Sequence, residues 1–376
     1  MKEFEQSGLA VYCLADKGTY DKVITEIFDG YDKPIHIDLY NAYAGNLLKG
    51  INGVLDSSEY GSKYYDLQRR LESNISRFAA YKAYNATQQI RRQLADKDGV
   101  VRSKAEYEKY AKSVVNAFNR YQAAEYNTAI SRCRTAKQWV GFNGEANREL
   151  FPNLRWLPSR SAEQRPEHIP YYNRVWPKND PFWQQNQPGN LWNCKCDWEE
   201  TADDIDNEGV KVTPPPASLA GNPAETGEIF TDKAAYFKAS PDRVEGLFVK
   251  CERERLQSIF GEEHGHETHG NLSSGTLHNA RKPFVRLLNH CRTADQLSAA
   301  RVLPYRIDEL HGVKHEKLGE HKDMTVAKNI KNIAKKKGRG IVSVNKYKWS
   351  ADGHDWEVVI EVHKAGFEQL YALNPL

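Results

Sequence analysis

The stretch DPFWQQNQPGNLWNCKCDWEE, Asp180–Glu200, carries three tryptophans, two prolines and two cysteines one residue apart. Indole rings gain most when buried. Proline cannot donate to a backbone ladder, and the asparagines and glycine favour turns. The same texture extends over residues 144–213, where helical periodicity is absent. A segment so poor in regular pairing must take its order from aromatic packing and from any crosslink its cysteines supply.

Working outward, residues 56–142 are helical in pattern. Leu67, Leu71, Ile75 and Phe78 recur at three- and four-residue steps, with Asp56 and the serines after it as candidate N-caps. After the break ADKDG, a second helix starts near Lys104. Its expected inner side holds Val114, Phe118, Tyr121, Tyr126, Ala129 and Cys133. Two long helices joined by a short polar loop predict a helical hairpin. Residues 1–55 read as a partly helical segment that docks on the hairpin or on a partner. The run VTPPPASLAGNPAETGEIF opens a Pro-, Gly- and His-rich linker over 214–281. Residues 282–376 regain globular texture. They hold a helix capped by Thr293, a basic helix from Thr325 that includes Lys335, Lys336, Lys337 and Arg339, and the strands IVSVNKYKW and WEVVIEVHK around the turn SADGHD. The fold class expected is mixed: a helical hairpin, a loop-rich Trp/Pro/Cys module, then a small α+β domain.

A net charge of +3 is too small to imply a protein that coats nucleic acid. No apolar run approaches the ~20 residues of a membrane span, so no membrane partner is expected. Six cysteines in 376 residues make no disulfide framework and read as reduced thiols of a cytoplasmic setting.

Cys194 and Cys196 are too close in sequence to bond each other without strain. Two readings stand. The two thiolates, with His168 and a further ligand, hold a structural zinc that stabilises a module short of secondary structure. Alternatively the cysteines are small buried hydrophobes and His168 hydrogen-bonds the backbone.

The ordered series EYNTAISRCRTAKQW, FPNLRWLPSRSAEQRPEH and DPFWQQNQPGNLWNCKCDW resembles the phage Mu F-like family of minor head (head morphogenesis) proteins over about residues 60–240. The family's elements fall on Arg165, Pro166 and His168, on Asp180, Phe182 and Trp183, on Pro188, and on Trp192, Cys194 and Cys196. The usual arginine between the cysteines is Lys195, which keeps charge but loses bidentate hydrogen bonding. The resemblance implies a low-copy protein of a tailed-phage or prophage virion, made in the bacterial cytoplasm. It would lie near the portal and inner capsid and act in head assembly and DNA packaging. It also implies a structural clasp in place of catalysis.

Residues 282–376 stand where such proteins carry variable domains. In size and texture they loosely resemble small phage-encoded ribonucleases of the Barnase–EndoU–colicin–RelE class. Metal-independent RNA cleavage would draw on His311, His315, His321 and His363 for proton transfer, with Glu361 beside them and Arg339 for phosphate charge. Packaged DNA and host RNA are the partners this implies. A solvated polar face on a binding appendage is the competing account.

Overall fold

The computed structural model describes residues 17–56, 61–263, 269–272, 275–278, 281–317, 340–365 and 367–376, and divides the chain into two compact units, residues 1–248 and 249–376. The expected mixed class holds, with helices leading and small sheets following. Thr325, Lys335, Lys336, Lys337 and Arg339, together with His321, lie outside the described residues.

The first unit is built around four helices, α1 (Lys17–Phe28), α2 (Ile37–Leu55), α3 (Tyr65–Arg92) and α4 (Lys104–Phe142). Segment 17–55 therefore docks on the hairpin: Val23, Leu39, Tyr40 and Ile51 are buried, and Tyr107 of α4 donates to the Ile24 carbonyl at 3.1 Å. The loop after α3 turns through an isolated bridge between Ala95 and Val101. Ser103 then opens α4 with a reciprocal capping box to Glu106. Asp56 closes α2 in a left-handed conformation; it does not cap α3, whose N-cap is Tyr64.

On α3 the predicted apolar face is buried as expected. On α4 the inner row runs through Tyr107, Ala111, Val115, Phe118, Gln122, Glu125, Ala129 and Cys133, while Tyr121 is 55% exposed. The reading by hydrophobicity skipped Gln122 and Glu125 because polar side chains were assigned to solvent. They are buried because partners wait inside. Gln122 donates to the Tyr20 hydroxyl at 2.8 Å, and Glu125 accepts from Lys82 of α3 and from the Tyr236 hydroxyl.

The stretch expected to be a linker starts out packed down. Residues 217–248 include the short helices α7 (Pro223–Thr226) and α8 (Ala235–Lys238), and they bury Leu219, Ile229, Phe230, Phe237 and Phe248 (α5 and α6 belong to the next module). Arg132 of α4, 1% exposed, donates to the carbonyls of Leu219 (2.7 Å), Gly221 (3.1 Å) and Glu228 (3.3 Å). Asn74 of α3 accepts from the Ile229 and Phe230 amides, both at 3.0 Å. Prolines stiffen this segment as its composition suggests, but side chains from α3 and α4 satisfy its free carbonyls and amides, so it lies as a strap. Arg132→Met is expected to cost about 2 kcal/mol by orphaning those carbonyls and to open the strap to limited proteolysis. Cleavage rates unchanged from wild type would show that apolar packing alone holds it.

Residues 144–213 contain α5 (Glu145–Leu150), β1 (Asn153–Leu157), β2 (Val175–Pro177), α6 (Phe182–Gln185) and β3 (Asp197–Thr201), with strands in the order β2–β1–β3, antiparallel. Helix α9 (Arg243–Glu263) contains the boundary between the units.

The second unit has β4 (His269–Leu272), β5 (Gly275–His278), α10 (Arg281–His290), α11 (Ala294–Val302), β6 (His311–Lys317), β7 (Ile341–Ala351), β8 (His354–His363) and β9 (Phe367–Pro375). They form a six-stranded sheet of order β4–β5–β9–β8–β7–β6. The Thr293 capping box with Gln296 opens α11. Asp352 and Gly353, both at positive φ, make a two-residue hairpin turn inside the expected stretch SADGHD, whose outer residues join β7 and β8.

Candidate metal centre

The Trp/Pro/Cys module folds around its rings. Leu154 and Trp156 of β1, Tyr171, Trp176 of β2, Phe182 and Trp183 of α6, and Trp198 of β3 form one buried cluster that includes Cys194 and Cys196. Trp176 stacks on Phe182 at 4.3 Å, and Trp183 meets Trp198 edge-on at 5.2 Å. Helix α4 supplies the platform. Trp139 stacks on Trp198 at 5.7 Å, Gln138 accepts from the Trp198 indole at 3.0 Å, and Thr135 donates to the Pro188 carbonyl at 2.9 Å. Gly189 is at φ +94°, and a β-carbon there would fall 3.0 Å from the Ser131 hydroxyl and 3.3 Å from the Arg132 amide. Only glycine lets the loop come this close to the helix.

The motif residues have separable tasks. Asp180 accepts from the Phe182 amide at 2.8 Å and starts α6. Arg165 donates to the Trp192 carbonyl at 3.0 Å, tying the histidine-bearing turn to the cysteine-bearing one. Trp192 leaves the main cluster and stacks on Phe230 of the strap at 5.5 Å. Lys195 is exposed.

These ties bring His168, Cys194 and Cys196 together. The imidazole Nδ1 lies 3.5 Å from each Sγ, and the three residues are 2%, 4% and 7% exposed. Ligand bonds of ~2.3 Å for sulfur and ~2.0–2.1 Å for nitrogen, at tetrahedral angles, put N and S about 3.6 Å apart around one zinc ion. The observed separations fit that arrangement. Among the described residues no fourth Asp, Glu, Cys or His joins this cluster.

The sulfurs also share a proton problem. Cys196 and His168 beside Cys194 hold its thiol well below the usual range. The nearby Cys194 sulfur, then burial, pushes the Cys196 thiol up. The pair gives up its first proton readily and resists losing the second. A divalent ion would supply the positive charge that lets both ionise.

A second cluster joins Glu26, His36 and Asp38, but a protein cation already serves it. Lys22 Nζ is 2.6 Å from Asp38 and 3.8 Å from Glu26, and His36 Nε2 is 2.9 Å from Glu26. Burial lowers His36 below its ordinary value of 6.5, with Glu26 opposing. The unfolded chain therefore takes up a proton that the folded one refuses. Stability present above pH ~6.5 is lost as pH falls through that value. The urea midpoint should drop between pH 7.5 and 5.5, and less so in His36→Gln; equal drops would place the acid sensitivity elsewhere.

Among the described residues, the candidate histidines His311 and His363 stand on different strands, β6 and β8. His311 and His315 lie on β6, not on a helix, and the register shifts between His311 and Lys314. His311 is exposed, and its Nδ1 is 3.2 Å from the Glu309 carbonyl. Glu361, expected beside the histidines of a cleavage site, is fully buried and paired with Arg286 of α10 at 2.6 Å. His363 stacks on Phe367 at 4.3 Å. His311 stands level with Glu357, four residues along β8 from Glu361, a separation of about 13 Å. Sequence reasoning missed Arg286, whose spacing to His290 on an amphipathic helix was the available signal.

The putative capsid assembly protein F of Escherichia phage Mu is 30% identical to this chain over 106 residues, covering 25% of this chain and 24% of that protein. A quarter of the chain is thus similar to a phage capsid assembly protein. No family model matches, and neither does any solved structure. Among the described residues no helix is long and apolar enough to cross a membrane.

Proposed function

We propose that this chain is a head-associated assembly protein of a tailed phage or prophage, whose residues 144–213 form a zinc-clasped structural module seated on α4. The observation that carries this reading is the meeting of His168, Cys194 and Cys196 in a nearly dry aromatic core. The donors belong to segments with little secondary structure, and the set of two soft sulfurs and one imidazole suits zinc. Both thiols and the imidazole are 2–7% exposed, closed off from any substrate, so the site's task is to hold shape. The similarity to a phage capsid assembly protein over a quarter of the chain supports the setting. Capsid and portal proteins are the partners in this reading, and the virion interior is the location.

Disrupting the gene in a phage or prophage that encodes it should yield heads that are misassembled or fail to fill. Mass spectrometry of purified wild-type particles should find the chain at low copy. Normal filled heads without it, together with its absence from particles and head precursors, would remove the assignment.

A further inference from the structure

Two polar hydrogens lie deep in the aromatic module with no oxygen or nitrogen to receive them. The Trp156 indole nitrogen and the Tyr172 hydroxyl are both shut off from solvent, and neither meets such an acceptor. A donor placed there gives up its bond to water and needs another partner in return. Neighbouring indoles have one: Trp183 donates to the Pro177 carbonyl and Trp198 to Gln138, both at 3.0 Å.

The register brings a sulfur to both. Trp156 of β1 is opposite Trp198 of β3, and Cys196 precedes Trp198 by two residues, so the alternation of an extended chain carries it to the face of Trp156. Tyr172 arrives from the other side of β1. The Asn173 amide donates to the Trp156 carbonyl at 2.8 Å, and the Trp156 amide donates to the Arg174 carbonyl at 3.0 Å. Trp156 also meets the ring of His168 edge-on at 5.0 Å. Both donors reach the Cys196 sulfur: Cys194 and burial push that thiol up, while the indole N–H and the phenol O–H pull it down. Cys194 is served by the backbone instead, its Sγ accepting from the Cys196 amide at 3.4 Å. A neutral thiol is a weak acceptor and a poor match for two buried donors. A thiolate bound to a cation is a strong one.

We infer that Trp156 and Tyr172 are positioning residues of the metal site, donating N–H···S and O–H···S hydrogen bonds to the Cys196 sulfur ligand. Neither touches the ion. Each acts through the sulfur, fixing its direction and compensating its charge in a core that water does not enter. The inference rests on the zinc-clasp reading and adds two residues to it that lie outside the metal-ligand set.

Two titrations of the full chain test it: zinc affinity by competition with a chromophoric chelator, and cobalt uptake followed by the sulfur-to-metal charge-transfer band. Tyr172→Phe, which keeps the ring, should weaken zinc about tenfold. It should also move the cobalt band to longer wavelength, because a sulfur that loses a donor parts with its electrons more easily. Trp156→Phe should shift both readouts in the same direction. Tyr171→Phe removes from the same core a hydroxyl that is bonded to Thr213, and should leave the band in place. Wild-type protein that takes up no cobalt would overturn the metal site and this inference together. A wild-type band whose position, with the zinc affinity, is unchanged in Tyr172→Phe would leave the clasp standing and overturn the inference alone. That variant decides the matter even if Trp156→Phe does not fold.

Discussion

Chelation, or replacing Cys194 with serine, is expected to strip the protein of about one equivalent of zinc and to collapse the aromatic order of residues 144–213. The loss should be on the order of 5 kcal/mol, part of the ~10–16 kcal/mol a structural zinc can supply. The rings keep some residual packing, because Trp156, Trp183 and Trp198 are buried on β1, α6 and β3 and contact one another without the ion. The readouts are metal content, the near-ultraviolet dichroism of the tryptophans and the thermal midpoint. Cobalt substitution adds a check specific to the ligands: sulfur-to-metal charge-transfer absorption should appear in wild type and weaken in Cys194→Ser and Cys196→Ser. Wild-type protein purified without chelator that holds well under a tenth of an equivalent, and takes up no cobalt, would leave the cysteines as small buried apolar groups.

Lys82→Met should destabilise the helical unit by about 3–5 kcal/mol, the cost of leaving a buried carboxylate without its counter-charge. Lys82 and Glu125 are 2% and 7% exposed at the side chain, between α3 and α4. The ammonium lies 4.7 Å from the Tyr43 ring centre and 5.8 Å from that of Tyr236. Tyr236 donates to the other carboxylate oxygen at 2.8 Å. Burial pulls the Lys82 ammonium below its usual range, while Glu125 works against that. Lys82→Met with Glu125→Met should recover most of the loss, because two apolar side chains pack where neither charge remains. Urea unfolding followed by helical dichroism measures all three chains. A single-variant loss below about 1 kcal/mol would mean that the charges reach water, contrary to their burial.

Much of the candidate site was legible in the order of residues. The spacing of Cys194 and Cys196, the His168 turn and the crowd of indoles offered a metal clasp as one of two readings, the other being small buried thiols beside a histidine bonded to the backbone. The helical hairpin was legible from Leu67, Leu71, Ile75 and Phe78. The inner face of α4 was not, since hydrophobic periodicity has no means of assigning Gln122 and Glu125 to the interior before their partners on other elements are known. The strap was misread for the same reason: composition reports the stiffness of 214–231, and Arg132, nearly ninety residues upstream, decides where it lies.

The linear chain by itself determined local matters: which stretches are helix or hairpin, where Ser103 and Thr293 cap, how Asp352 and Gly353 turn, and that Cys194 and Cys196 share a neighbourhood. Each depends on residues within a few positions of one another. Tertiary structure alone decided that His168 closes on the two sulfurs, that Glu361 is engaged by Arg286, and that Lys314 faces Lys346. Those pairings join residues separated by 26 to 75 positions. Buried polar and charged groups take their meaning from the partner across the fold, and that partner is chosen by packing.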